Sequence, residues 1–156
     1  MAATTEAAAP TAEPELTISR VLDAPRSLVF KVWTEPSHMV RWLGPHGFTA
    51  PSCEMDLRPG GAWRACIRSE EGRDHWMGGV YREIAPPERL VFTFAWQEGG
   101  VPGHETLVTV TFAEQGHKTL FTFHQATFES VESRDSHNGG WSECFDRLAD
   151  YLAGLR

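Results

Sequence analysis

The sequence lacks an apolar run long enough to cross a membrane, which takes about 20 consecutive apolar residues. Its first residues, MAATTEAAAPTAEP, have neither a basic start nor a continuous apolar stretch, so they do not match a secretory signal. Too few of them are apolar to offset the entropy lost on ordering, and we expect residues 1–14 to be a disordered tail. A single domain is then expected over residues 15–156.

Cysteines and basic residues are both scarce. Cys53, Cys66 and Cys144 are odd in number and show no CxxC spacing, which favours reduced thiols in a cytoplasmic protein over a disulfide framework. The 14 Lys and Arg are outnumbered by 21 Asp and Glu, giving a formal net charge of −7. This charge repels phosphate backbones and anionic lipids, so we expect neither a nucleic acid nor a membrane as partner.

Recognisable catalytic and metal-binding motifs are also missing. The seven His include no HExxH or other ligand spacing, and the chain has no GxSxG. We therefore predict no metal, no cofactor and no catalytic residue, which favours a protein that is not an enzyme. His75 and His124 are the strand histidines that could reach an internal cavity.

Two periodicities divide the chain. "ELTISRVL" alternates as a strand does, and "APRSLVFKVW" and "PSHMVRWL" have helical spacing, each with a proline near its start. The period then returns to two for about eighty residues, interrupted only by short turns. Short turns join antiparallel strands, so these residues predict six strands of an antiparallel meander.

The last segment, "WSECFDRLADYLAGL", has an apolar helical stripe that includes Trp141, Cys144 and Phe145. Gly139 and Gly140 precede it, and they indicate either a break in the helix or a close approach to the sheet. The predicted class is α+β, with a seven-stranded antiparallel sheet curved around this long C-terminal helix and two short helices after the first strand. A sheet curved around a helix is expected to leave a cavity between them.

The stretch "YREIAPPERLVFTFAW" connects two of these strands. Pro86 and Pro87 remove two amide donors and turn the chain, and the apolar residues that follow share one face of the next strand. Just before it, Gly78 and Gly79 suggest a β-bulge, which leaves open whether Trp76 or Met77 faces the interior.

Four strings in this order resemble the START-like (SRPBCC, helix-grip, Bet v 1-like) superfamily over residues 15–154. They are "APRSLVFKVWTEPSHMVRWLGP", "MDLRPGGAWR", "GGVYREIAPPERLVFTFAW" and "HNGGWSECFDRLADYL". More closely, the chain is similar to the branch named for activators of the heat-shock-protein-90 ATPase. The resemblance implies the helix-grip fold but no single activity, because related folds include lipid carriers, cyclases and aromatases, plant ligand-binding proteins and co-chaperone domains.

Three hypotheses about function follow. The first is non-catalytic binding of a small hydrophobic molecule inside the fold, the second a surface that binds a protein partner as co-chaperones do, and the third a cyclase-like or aromatase-like enzyme assisted by His124 or Gln125. Gln125 favours a cavity, since a polar amide on an apolar strand face needs a partner or a wet pocket. The chain could be a monomer or a homodimer. The predicted pocket residues are Trp63, Trp76, Phe92, Phe94, Trp96, Val108, Val110, Phe121, Phe123, Gln125, Trp141 and Phe145.

Overall fold

The structure, a computed structural model, describes residues 13–155. These residues form eight strands and three helices. The elements are β1 (Leu16–Leu22), α1 (Arg26–Thr34), α2 (Pro36–Met39), β2 (Thr49–Met55), β3 (Ala62–Arg68), β4 (Asp74–Ala85), β5 (Arg89–Glu98), β6 (Val101–Pro102), β7 (Thr106–Gln115), β8 (Lys118–Ala126) and α3 (Val131–Gly154).

Seven of the strands form one antiparallel sheet in the order β1-β8-β7-β5-β4-β3-β2. The eighth, β6, is a two-residue strand that pairs with β5 within the stretch "QEGGVPG", residues 97–103. The sheet curves around α3, whose rings contact those of the inner strand faces; Phe145, for example, lies 4.9 Å from Phe121 between ring centroids. This confirms the predicted α+β helix-grip architecture, with two short helices after the first strand.

The long helix begins earlier than its apolar stripe. Ser130 is the N-cap, and its Oγ accepts a hydrogen bond from the Ser133 backbone N–H (3.0 Å). The helix then runs without interruption through Gly139 and Gly140. Both predicted explanations for these glycines are wrong: a Cβ on Gly139 would meet nothing within 4 Å, and one on Gly140 would approach only Pro45, at 3.8 Å.

Replacing Gly139 by alanine is expected to stabilise the protein by about 1 kcal/mol, because alanine fixes the helical backbone at lower entropic cost. Thermal unfolding followed by circular dichroism measures the change. Gly72→Ala is the matched control: its Cβ also meets nothing within 4 Å, but Gly72 has a φ of +87°, so this change should destabilise. Equal effects of the two substitutions would contradict the assignment of Gly139 to a regular, exposed helical position.

The predicted β-bulge at Gly78 and Gly79 is wrong. The register of β4 with β5 is the same on both sides of these glycines, from Trp76 to Tyr81, and it shifts only between Tyr81 and Glu83. The glycines instead permit a close approach, since a Cβ on Gly79 would lie only 1.9 Å from Thr93 O on β5.

One helix boundary also differs from the prediction. The helix α2 ends at Met39, four residues before the end of the predicted segment, because Arg41 N–H and Trp42 N–H donate to the carbonyls three residues earlier, His38 O (2.9 Å) and Met39 O (3.2 Å). At the start of the described chain, Pro14 O accepts a hydrogen bond from Phe128 N–H (3.1 Å). Residues 1–12 of the predicted tail lie outside the described residues.

Candidate functional site

Two adjoining cavities lie between the sheet and the helices. The inner cavity has a volume of about 30 Å³ and is lined by Trp33, Met39, Leu43, Cys53, Met55, Trp63, Ala65, Met77, Tyr81, Leu90, Phe92 and Trp141. The outer cavity has a volume of about 260 Å³ and is lined by Leu43, Gly44, Pro45, Phe48, Ile67, His75, Met77, Phe94, Trp96, Ser136, His137, Gly140, Trp141 and Cys144. Leu43, Met77 and Trp141 line both cavities, so these three side chains lie between the two spaces.

Five of the twelve predicted pocket residues line these cavities. Trp63 and Phe92 face the inner cavity, Phe94 and Trp96 face the outer one, and Trp141 faces both. Phe92, Phe94 and Trp96 alternate along β5, and Trp63 on β3 faces the same side of the sheet, as the two-residue period predicts.

Five other predicted residues are fully buried and form the floor beneath the cavities. This group consists of Val108, Val110, Phe121, Phe123 and Phe145. The reason is Trp33, which comes from α1 and lies 5.9 Å from Phe121 and 6.2 Å from Phe123 between ring centroids. Its indole fills the space over these strands, so their side chains are packed core.

Gln125 is also core. It is fully buried, and its amide is satisfied at both ends: Nε2 donates to Thr106 Oγ1 (2.8 Å), and Oε1 accepts from Trp141 Nε1 (2.8 Å). The argument that this amide indicates a wet pocket is therefore wrong, because a protein partner supplies each hydrogen bond. Gln125 positions Trp141, which does line both cavities.

Trp76 lies on the opposite face of the sheet. The Arg64 guanidinium carbon sits 3.9 Å from the centroid of its ring, a cation–π contact on the outer surface. Its neighbours His75 and Met77 face inward and line the outer cavity. The prediction that Trp76 lines the pocket is wrong, and the open choice is settled in favour of Met77.

The two strand histidines lie in different environments. His75 contacts Trp96 and Phe48 along the outer cavity (ring centroids 6.4 and 6.1 Å apart). His124 instead pairs with Glu15 outside the cavities.

Sequence reasoning missed the roof of the outer cavity, which is the loop that follows α2. Arg147 on α3 donates to Gly44 O (2.8 Å), and Gly44 N–H donates to Cys144 Sγ (3.3 Å). These bonds tie the loop to the helix and leave its apolar residues over the cavity. In the sequence, Gly44 and Pro45 are typical of a turn, but they give no sign of what the turn covers.

Four ionisable groups at the cavities are shifted toward their uncharged forms. Burial raises the pKa of Cys53 to about 11 and that of Cys144 to about 12, so both thiols stay protonated at neutral pH. Burial also raises the pKa of the Tyr81 hydroxyl and lowers the pKa of His137. A nucleophilic thiol needs the opposite shift, so neither cysteine is activated.

His137 uses both of its ring nitrogens. Nδ1–H donates to Ser133 O (2.9 Å), and Nε2 accepts from Trp96 Nε1 (2.9 Å), which fixes the neutral Nδ1–H tautomer. Phe94, Trp96 and His137 also border a surface cleft of about 420 Å³. This hydrogen-bonded pair is therefore a wall between the outer cavity and the surface.

Acidification below about pH 6.5 is expected to destabilise the protein through His137. Its pKa is lowered in the folded state, so between that value and the unfolded value of about 6.5 the unfolded chain binds more protons. The stabilisation is complete above pH 6.5 and is lost as the pH falls through this window. We expect His137→Gln to lose less unfolding free energy than the wild type between pH 7.5 and 5, as measured by urea denaturation. His117→Gln, at an exposed turn, should retain the wild-type pH dependence; a parallel loss in all three proteins would contradict the prediction.

In the part of the chain that the structure describes, no three His, Cys, Asp or Glu side chains come together in a group able to hold a metal ion. None of the helices formed by residues 13–155 combines the length and apolar character that a membrane crossing requires.

Comparison with known proteins gives a match over most of the chain. The family model described as "Activator of Hsp90 ATPase homolog 1-like protein" matches residues 23–153. The chain belongs to this family. No curated protein matches the sequence.

Solved structures of other proteins share this fold. A protein of Chromobacterium violaceum is 28% identical with a TM-score of 0.81, over 88% of this chain and 96% of its own. The AHSA1 protein of Silicibacter pomeroyi is 22% identical with a TM-score of 0.83, over 92% of this chain and all of its own (100%). A protein of Arthrobacter aurescens is 23% identical with a TM-score of 0.81, over 90% of this chain and 86% of its own. The last two show the shared fold alone.

Proposed function

We propose that this AHSA1-like protein binds a small hydrophobic molecule in the outer cavity without transforming it. The observation that carries the proposal is the cavity of about 260 Å³, which lies open beside an otherwise packed aromatic core. Ligand pockets in proteins are predominantly apolar and measure about 300–1,000 Å³. At about 260 Å³ this cavity lies just below that range, which suits a ligand of up to three rings or a short chain.

The chemistry of the walls supports binding over catalysis. Cys53 and Cys144 are protonated at neutral pH, and both nitrogens of His137 are engaged. The residues suggested to assist a cyclase-like reaction are occupied elsewhere, since His124 pairs with Glu15 and Gln125 is hydrogen-bonded within the core. An apolar wall without Asp, Glu, Lys or Arg among its described residues favours a neutral apolar guest.

A co-chaperone-like interaction with a protein partner is the second candidate, and the description of the matching family supports it. We also propose a cytoplasmic location, because the three cysteines are free and two of them are buried. An assay of ligand binding separates the two candidate functions, since a surface interaction does not need the cavity.

The two adjacent helix glycines provide the test. Gly140 lines the outer cavity, whereas Gly139 next to it faces open space. We expect Gly140→Leu to fill the cavity and weaken binding of the fluorescent apolar probe N-phenyl-1-naphthylamine by about tenfold or more. Gly139→Leu places the same side chain on the same helix and should bind within about twofold of the wild type.

Fluorescence titration of the three folded proteins gives the dissociation constants. Equal affinities of the two variants would contradict the proposed cavity, and absence of probe binding to the wild type would favour the partner-binding alternative. Circular dichroism of each variant confirms that the helix is intact before the affinities are compared.

A further inference from the structure

One buried tryptophan differs from the others in its hydrogen bonding. Of the five tryptophans in the interior, Trp42, Trp63, Trp96 and Trp141 each donate the indole N–H to a protein acceptor. The indole N–H of Trp33 has no acceptor among the described residues, although Trp33 is only 3% exposed. A buried donor without a partner costs about 1–3 kcal/mol, so it requires an explanation.

The inner cavity supplies that explanation. Trp33 lines it, and so does Tyr81, which is 4% exposed and whose hydroxyl makes no hydrogen bond to another of residues 13–155. Burial raises the pKa of this hydroxyl, which therefore keeps its proton. Trp33 and Tyr81, two residues that carry neutral donors, thus line one space whose other walls are almost entirely apolar.

The two cavities differ in size and therefore have room for different parts of a ligand. A water molecule needs at least about 10–15 Å³ measured this way, so the inner cavity of about 30 Å³ has room for one or two oxygen-sized groups and none for a ring. The outer cavity adjoins it and has room for the ring or chain. Met77, one of the side chains shared by both, is unbranched and adaptable enough to admit a group from one to the other.

We propose that the inner cavity is the polar end of the binding site, where the Trp33 indole N–H donates a hydrogen bond to an acceptor oxygen of the ligand. The Tyr81 hydroxyl donates a second. No Lys or Arg of the described chain lines either cavity, so the acceptor is a neutral oxygen and not a carboxylate. The ligand class is a small apolar ketone, aldehyde or ester. This inference rests on the proposed binding function.

Acetophenone and isopropenylbenzene form a matched pair of probes, because they differ only in a C=O or a C=CH₂ group of nearly the same shape. The ratio of their dissociation constants is measured by calorimetry or by displacement of N-phenyl-1-naphthylamine. Comparing this ratio between proteins cancels the difference in hydrophobicity of the probes. We expect Trp33→Phe to shift the ratio about tenfold against the ketone, and Tyr81→Phe to shift it in the same direction by less.

Trp63→Phe is the control. Trp63 lines the same cavity, but its N–H already donates to Thr93 O, so the ratio should stay at the wild-type value. An unchanged ratio in Trp33→Phe, or an equal shift in Trp63→Phe, would overturn the inference. If neither probe binds the wild type, the proposed function fails with it; if both bind and the ratio never changes, only the inference fails.

A second measurement needs no substitution and applies even if Trp33→Phe does not fold. In ¹H–¹⁵N spectra of the wild type, the Trp33 indole signal should move downfield on saturation with acetophenone and stay in place with isopropenylbenzene. The same displacement with both probes, or with neither, would overturn the proposed hydrogen bond.

Discussion

Gly79→Ala is expected to destabilise the protein by about 3 kcal/mol or more. The added Cβ would lie 1.9 Å from Thr93 O and 2.7 Å from Thr93 Oγ1, and a backbone carbonyl on a neighbouring strand does not give way as a flexible side chain does. The same stretch holds two further bonds, from Trp63 Nε1 to Thr93 O (3.0 Å) and from Val80 N–H to Thr93 Oγ1 (2.8 Å). The substitution therefore disturbs both the strand pairing and one wall of the inner cavity.

Urea denaturation monitored by circular dichroism measures this loss. Gly139→Ala adds the same methyl group where nothing lies within 4 Å, so it controls for the change in composition. A Gly79→Ala protein as stable as the wild type would show that β4 and β5 are not held as closely as the structure has them.

Gln125→Leu is expected to destabilise the protein by about 2–3 kcal/mol, because it leaves the buried Trp141 indole N–H without an acceptor. Thr106 loses less, since its hydroxyl still donates to Phe94 O (3.1 Å). The sequence alone favours the opposite result, because an amide in a wet pocket could be replaced by an apolar residue at no cost.

Gln115→Leu is the control for Gln125→Leu, since Gln115 is exposed at the end of β7 and its replacement should change the unfolding free energy by no more than about 0.5 kcal/mol. Chemical denaturation of both variants gives the comparison. A neutral or stabilising Gln125→Leu would contradict the hydrogen-bonded core and restore the interpretation of Gln125 as a pocket residue.

The contrast between Gln125 and Phe94 shows what strand periodicity can predict. Alternation along β5 and β8 identifies correctly which side chains face the helix, because a period of two is fixed by strand geometry. Whether an inward residue borders a cavity or a packed neighbour depends on the elements laid over it. Trp33 on α1 covers β8, and nothing in the strand sequence encodes that contact.

Glycine pairs show a second limit on what can be predicted from the sequence. The pair on α3 and the pair on β4 have the same composition, but Gly139 faces open space and Gly79 faces a carbonyl. For the pair on α3 the sequence suggests a break or a close approach, and for the pair on β4 it suggests a bulge; the close approach is found on β4 instead. Only the distance to the neighbouring backbone separates them.

The central claim, that the space between the sheet and α3 holds a small apolar molecule, is tested most directly by intermolecular NOEs. N-phenyl-1-naphthylamine bound to methyl-labelled protein should give NOEs to the methyl groups of Leu43, Ile67 and Met77, which line the outer cavity. Exposed methyl groups such as those of Val21 and Val101 should give none. NOEs confined to the exposed methyl groups would contradict the claim, because the probe would then be bound on the surface and not inside the fold.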